Sequence, residues 1–155
     1  MTEKPIELAL PLIKRFEGFQ ATPYICPAGK RTVGYGHVIE PGDALTYPMT
    51  ENAAETLLRA DIQRFADDLY DLLPDASLTF PMRAALISLM FNIGTGAFAK
   101  STLRTLIKGH LYEAAANEFM RWDKATVNGK KVVLPGLTTR RAAERALYLQ
   151  DGMPK

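Results

Sequence analysis

The sequence predicts an α+β fold, mostly helical, in which a small β-containing lobe and a helical lobe are joined by a long helix. Three observations carry that expectation. Apolar residues recur at helical spacing near the N-terminus and again through most of the chain after residue 50. Between these stretches, Pro23, Pro27, Pro41 and Pro48 alternate with Gly29, Gly34, Gly36 and Gly42, which break helices and leave room only for brief strands. A chain of 155 residues fits one domain of two lobes sharing a core. The small lobe is expected at about residues 18–49, and the helical lobe at about 74–155 together with the N-terminal helix.

From Pro5 to Phe16, the residues Ile6, Ala9, Leu10, Ile13 and Phe16 form one helical stripe. Pro11 has no N–H to give to the carbonyl of Glu7, so the helix should bend or restart there, and Gly18 is placed to end it. Glu17 then sits at a helix C-terminus, where the dipole disfavours a charged carboxylate. In the small lobe, runs such as Arg31-Thr32-Val33 read as short strands. Thr50 can cap a long helix carrying Ala54, Leu57, Leu58, Ile62, Phe65 and Leu69 up to Pro74. Thr79 and Pro81 open another, whose Ala85, Leu86, Leu89, Met90 and Ile93 are apolar on so broad a face that it should form the buried centre of the helical lobe. Ser101 caps a short helix ending near Gly109. Residues 111–122 give an Ala-rich helix, and Thr138 to Gln150 the last one. Asn128-Gly129 and Pro135-Gly136 mark turns between these two, consistent with a hairpin-like loop.

Composition narrows the function classes. Lys and Arg number 19 against 17 acids, too even a balance to indicate a nucleic-acid binder. Charge is nevertheless uneven along the chain: residues 40–75 hold nine acids against two arginines, and residues 121–155 eight bases against three acids. That asymmetry fits either a polyanionic partner or two ordinary solvated faces. The single cysteine, Cys26, excludes an internal disulfide and points to synthesis in a reducing cytosol. The N-terminus lacks the apolar run of a signal peptide or membrane span, so self-directed export is not expected. With two histidines and one cysteine at no ligand spacing, no metal or other cofactor is expected. Gly34-Tyr35-Gly36 does not fit a phosphate-cradling loop.

Chemistry concentrates in Lys14-Arg15-Phe16-Glu17-Gly18-Phe19, then Tyr24-Ile25-Cys26-Pro27, then Arg31-Thr32-Val33-Gly34-Tyr35-Gly36-His37. Together these segments resemble the phage-type lysozymes, the endolysins of glycoside hydrolase family twenty-four. That family's motif is Glu-Gly at the end of the first helix, Asp nine residues on, and Thr within Thr-x-Gly-x-Gly-His. Phe91-Asn92-Ile93-Gly94-Thr95-Gly96-Ala97-Phe98 with Ser101-Thr102-Leu103, and Trp122 followed by Pro135-Gly136-Leu137 and Arg140-Arg141-Ala142-Ala143-Glu144, are similar to its second-lobe signatures.

The resemblance implies a lysozyme-like fold and hydrolysis of the β-1,4 bond between N-acetylmuramic acid and N-acetylglucosamine in peptidoglycan, for host cell lysis. It assigns Glu17, Cys26 and Thr32 to catalysis and Tyr35, Asn92 and Arg140 to substrate binding. It also implies a monomer that accumulates in the host cytoplasm and reaches the wall through a membrane-permeabilising holin, with no nucleic-acid partner.

One position departs from the motif: Cys26 stands where Asp is usual. Glycosidases need a protonated acid at the leaving oxygen and a second group opposite it. Cys26 can attack as a thiolate if Lys30 or Arg31 lowers its pKa, can help Thr32 hold water as a thiol, or can simply be a small buried residue. For Glu17 the competing reading is a helix-end ion pair with Lys14 or Arg15. His37 is expected to anchor the small lobe to an acid on the long helix. Asn92 is expected either to face the cleft and bind sugar or to cap its helix. Arg140, Arg141 and Arg145 read as a solvated face of the last helix, with Arg140 and Arg141 available as a wall-docking surface. Two alternatives to a glycosidase stay open: a peptidase or amidase using Cys26 with His37, and a non-catalytic wall-binding module.

Overall fold

Helix α1 (Glu3–Glu17) is amphipathic and buries Ile6, Ala9, Leu10 and Ile13 against α3 (Phe80–Ile93), in a computed structural model that describes residues 3–74 and 77–154. It runs through Pro11 as one helix, because Pro11 falls on its exposed side. Gly18, at φ +70°, ends it by donating its N–H to the Lys14 carbonyl at 3.0 Å, a left-handed conformation that suits glycine.

The small lobe is a three-stranded antiparallel sheet in the order β1 (Gln20–Ile25), β2 (Arg31–Gly34), β3 (His37–Val38). Only β2 was legible as a run of strand-forming residues. Strand β1 lies at the sheet edge, where Pro23 is tolerated because an edge strand can spare an N–H. An irregularity in the β1–β2 ladder falls between Gln20 and Tyr24, after which Tyr24 pairs with Thr32 and Ile25 with Arg31.

Helix α2 (Glu51–Leu72) leaves the small lobe with Thr50 as its cap, the hydroxyl accepting from Ala53 N at 3.1 Å. Its Ala54, Leu58, Ile62, Ala66 and Leu69 are buried at near-regular spacing of four residues, the stripe that packs on α3. Helix α3, capped by Thr79, buries all but one residue of Pro81–Met90 and packs against α1, α2 and α7 (Pro135–Tyr148). Burial on nearly every face explains why its sequence is apolar all round.

Three boundaries differ from the sequence expectation. A short helix α4 (Thr95–Ala99) precedes α5 (Thr102–Lys108), which is capped by Ser101 as expected. The Ala-rich segment divides into α6 (Tyr112–Glu118) and a 3₁₀ turn (Phe119–Trp122). Strands β4 (Lys124–Val127) and β5 (Lys130–Val133) make the expected hairpin, turned by Asn128 at φ +52° and Gly129 at φ +79°. Pro135-Gly136 is not a turn: Pro135 opens α7, a first-turn position where its missing N–H costs nothing.

Candidate active site

Glu17 is the last residue of α1, which delivers it to the junction of the two lobes. Its Oε2 accepts from Arg140 Nη1 at 2.6 Å, so the carboxyl is tied to α7 rather than to its own helix. Lys14, one of its expected partners, instead pairs with Glu55 of α2, and Arg15 lies 4.7 Å from the Phe16 ring centroid. On the small-lobe side, Gly36 closes over the acid: a Cβ there would lie 2.6 Å from Glu17 Oε1. Gly36 has φ +73°, so the glycine meets both a conformational and a steric requirement.

The expectation that Arg140 and Arg141 form a solvated face, or a docking surface, is overturned by their burial at 4% and 0% exposure. Arg140 sits between two carboxylates, with Nη1 on Glu17 and Nε on Glu144 Oε2 at 3.2 Å, while Nη2 donates to the Ser88 carbonyl at 3.2 Å. All three interactions turn it inward, so it serves the acid and does not present a free cation to substrate. Arg141 ion-pairs with Glu144 Oε1 at 3.0 Å and donates from Nη2 to Asn92 Oδ1 at 2.6 Å. Burial pulls the Arg141 pKa down to about 10, partly offset by the charge of Glu144. Asn92 is otherwise exposed at the end of α3, held by Arg141 rather than capping the helix.

Cys26 follows β1, half-buried, in a turn closed by Gly29 N to its carbonyl at 2.8 Å and by its own N–H to Lys30 O at 2.9 Å. Its thiol pKa is lowered, first by a backbone hydrogen bond at Lys30, then by the Thr32 hydroxyl. Hydrogen bonding, not the Lys30 or Arg31 side-chain charge, is therefore what favours the thiolate. Thr32 is buried on β2, with its Oγ1 2.9 Å from the Lys30 carbonyl. Tyr24 connects the two halves of the site: its pKa is raised by burial and then by the negative charges of Glu17 and Cys26. Tyr35, expected at the substrate, is 9% exposed beneath Phe19, with ring centroids 5.6 Å apart and Lys14 Nζ 5.5 Å from its own ring centre. Packing the small lobe occupies most of its surface.

His37 anchors the small lobe as its sequence position suggested, with Nδ1 2.7 Å from Asp61 Oδ2 of α2. Its Nε2 is held as well, 2.8 Å from Asp43 Oδ2. Burial works against the imidazolium, but these two carboxylates outweigh it and raise the His37 pKa. With both nitrogens engaged, His37 is not available as a base for Cys26, which removes the arrangement a cysteine peptidase would need. Asp43 and Ser88 escaped the sequence reading, while Gly36, Arg141 and Glu144 stood in its motifs without a role beside Glu17. Glu144 lies four residues after Arg140 and three after Arg141, the spacing of helical ion pairs.

A two-lobed α+β fold that fixes a carboxylic acid where its lobes meet is an architecture suited to a glycosidase. The phage lysozyme sequence family matches residues 14–144, and the chain belongs to it. An endolysin of Acyrthosiphon pisum secondary endosymbiont phage 1 is 44% identical over 144 residues, covering 92% of this chain and 95% of that one. The endolysin from Escherichia coli O157:H7 phage FAHEc1 has a similar structure, with TM-score 0.82 and 33% identity over 96% of this chain and 94% of that one. The muramidase domain of SpmX from Asticaccaulis excentricus also matches with TM-score 0.82 and 33% identity, over 91% and 94% of the two chains. The protein is a glycoside hydrolase of the lysozyme type, with muramidase activity that serves phage lysis of the host.

Proposed function

We propose that the enzyme cleaves the β-1,4 bond between N-acetylmuramic acid and N-acetylglucosamine, with Glu17 as general acid and Cys26 and Thr32 acting on the opposite side of the bond. The observation that carries this reading is the placement of Glu17, held from one side by Arg140 and enclosed from the other by Gly36. An acid that gives its proton to a leaving oxygen must be positioned before substrate arrives, and these two contacts leave it little freedom. Cys26, with a thiol biased toward ionisation, supplies the nucleophile or water-activating group where the family usually has a carboxylate. Thr32 beside it orients the attacking water. The exposed amide of Asn92 is available to sugar at the end of α3.

The peptidoglycan substrate is anionic through its stem peptides, and the basic surface that suits it is the β4–β5 hairpin. Lys130 and Lys131 are exposed there and form no ion pair among the described residues, unlike Lys124, which pairs with Asp123 at 3.1 Å. No helix among the described residues is long and apolar enough to cross a membrane. Accumulation as a monomer in the host cytoplasm, with wall access through a separate holin, completes the proposal.

Product analysis tests the reading. Wild-type enzyme should release new reducing ends from purified sacculi and no new amino groups. Glu17→Gln should keep its thermal unfolding profile while losing on the order of a hundredfold or more in rate, the usual worth of a positioned general acid. Release of amino groups would indicate peptide cleavage instead, and a Glu17→Gln variant with over a tenth of the activity would remove Glu17 from the acid role.

A further inference from the structure

Behind Glu17 the helical lobe contains a buried chain of charges in a region where the surrounding residues of α3 are apolar. Glu144 of α7 is 0% exposed. Its Oε2 receives the Ser88 hydroxyl at 2.6 Å and Arg140 Nε at 3.2 Å, and its Oε1 faces Arg141 Nε at 3.0 Å. Ser88 is itself fully buried in the middle of α3. Isolated charges at such a depth cost several kcal/mol each, so the cluster persists because its members compensate one another. Along its contacts the order is Arg141, Glu144, Arg140, Glu17, alternating in sign, and of the four only Glu17, at 20% side-chain exposure, opens appreciably to solvent.

We propose that Glu144 is a positioning residue for the general acid: from inside the helical lobe it fixes the Arg140 guanidinium and balances its charge, so that Arg140 holds Glu17 in place. The proposal rests on Glu17 being the acid. An arginine 2.6 Å from a carboxylate favours the ionised form, which cannot donate, and the site therefore needs a counter-charge to the guanidinium. Glu144 supplies it, on the face of Arg140 away from Glu17. It does the same for Arg141, whose Nη2 donates to Asn92 at the end of α3. Other groups facing this chain are Asp123, after the 3₁₀ turn, whose charge acts on Arg141, and Tyr24 of β1, which senses Glu17. Phe16 of α1 lies 5.7 Å from Arg140 and closes that side. Burial raises the pKa of the Glu144 carboxyl against the opposing pull of Arg141, Arg140 and the Ser88 hydroxyl, and the Ser88 hydroxyl and the Arg140 Nε–H both donate to Oε2.

The test uses charge rather than shape. Glu144→Gln leaves two guanidiniums behind Glu17 with no internal counter-charge, and Arg141→Gln leaves the opposite imbalance. The limb of the pH–rate profile that reports protonated Glu17 should move to lower pH in the first variant and to higher pH in the second, each by about one pH unit. One unit is a tenfold loss or gain of the competent form at a pH beyond the limb. Carbon-13 titration of the Glu17 carboxyl identifies that limb and reads the coupling whether or not Glu17 is the acid, so failure here is distinguishable from failure of the proposed function. The double variant Glu144→Gln/Arg141→Gln removes one charge of each sign and should bring the limb back toward wild type. If Glu144→Gln does not fold, the Arg141→Gln shift carries the test alone. Opposite shifts, with kcat falling more than KM changes, support the proposal. Lost stability or activity with an unmoved limb, shifts of the same sign, or a double variant that moves further from wild type overturn it.

Discussion

Adding one methyl group at Gly36 tests whether the acid is held as tightly as its contacts indicate. In Gly36→Ala the new Cβ starts 2.6 Å from Glu17 Oε1 and 3.2 Å from Glu17 Cδ. Ordinary contact needs about 3.4 Å, so the carboxyl must retreat by several tenths of an ångström. The far end of a glutamate usually moves easily, but here Oε2 is anchored on Arg140 at 2.6 Å, and Arg140 is anchored in turn on Glu144 and the Ser88 carbonyl. Either the ion pair lengthens or the small lobe lifts away, and both misplace the proton. A displacement approaching 1 Å at the reacting group costs on the order of a hundredfold in rate. Alanine at φ +73° adds about 1–2 kcal/mol of backbone strain, which for a domain of this size lowers Tm by roughly 2–8 °C. Gly129→Ala supplies the control, since φ is +79° there and a Cβ would meet nothing within 4 Å. Thermal unfolding and kcat on soluble glycan strands should show similar destabilisation in both variants and a large kcat loss in Gly36→Ala alone. A Gly36→Ala enzyme with wild-type kcat, or equal kcat losses in both, would refute the reasoning that links the glycine to the acid.

Cys26→Ser should lower the rate on the order of a hundredfold and Cys26→Asp should retain it, because serine stays un-ionised while aspartate restores the family's usual carboxylate; near-normal turnover in Cys26→Ala, measured by reducing-end release, would leave the reaction to Glu17 and Thr32. The His37 lock should be strongest in mildly acid solution. The raised His37 pKa contributes stability that is complete below its unfolded value of about 6.5 and is lost as pH rises through the folded one, whereas the lowered Asp43 pKa contributes above about 3.9 and is lost as pH falls through its folded value. The Tm difference between wild type and His37→Asn should therefore be largest near pH 5 and shrink by pH 9, and a difference that does not vary with pH would exclude the two-carboxylate account. Reversing Lys130 and Lys131 to Glu should weaken sacculus binding several-fold at low salt and flatten its salt dependence without changing kcat on soluble glycan; unchanged binding at low salt would remove the hairpin from wall docking.

The parts of the fold that sequence displayed were those governed by local chemistry. Thr50, Thr79 and Ser101 cap helices because a hydroxyl can satisfy a first-turn N–H wherever the chain goes next, and Asn128-Gly129 turns a hairpin because both residues accept positive φ. Motif order put Glu17 at the end of the first helix and Thr32 on a small-lobe strand, where both are found. Arg140 and Arg141 were misjudged because arginine in a helix is usually solvated. Their burial depends on Glu144, which is on their own helix, and equally on Glu17, Ser88 and Asn92, which are on others, and no single segment encodes that convergence. The packing of Phe19 and Lys14 on Tyr35 was likewise not legible, since both partners lie outside its own strand and turn. The same dependence on partners hid Pro135, whose neighbour Gly136 signals a turn while its own ring suits a helix start.

The pairing of Glu17 with Arg140 spans 123 residues of chain. The acid is made early in synthesis and its anchor near the end, so the site is assembled only when α7 docks against α1 and α3. A nascent or prematurely terminated chain that stops short of Arg140 carries Glu17, Cys26 and Thr32 but lacks the guanidinium that anchors Glu17. Anchoring of Glu17 therefore requires a polypeptide complete through α7.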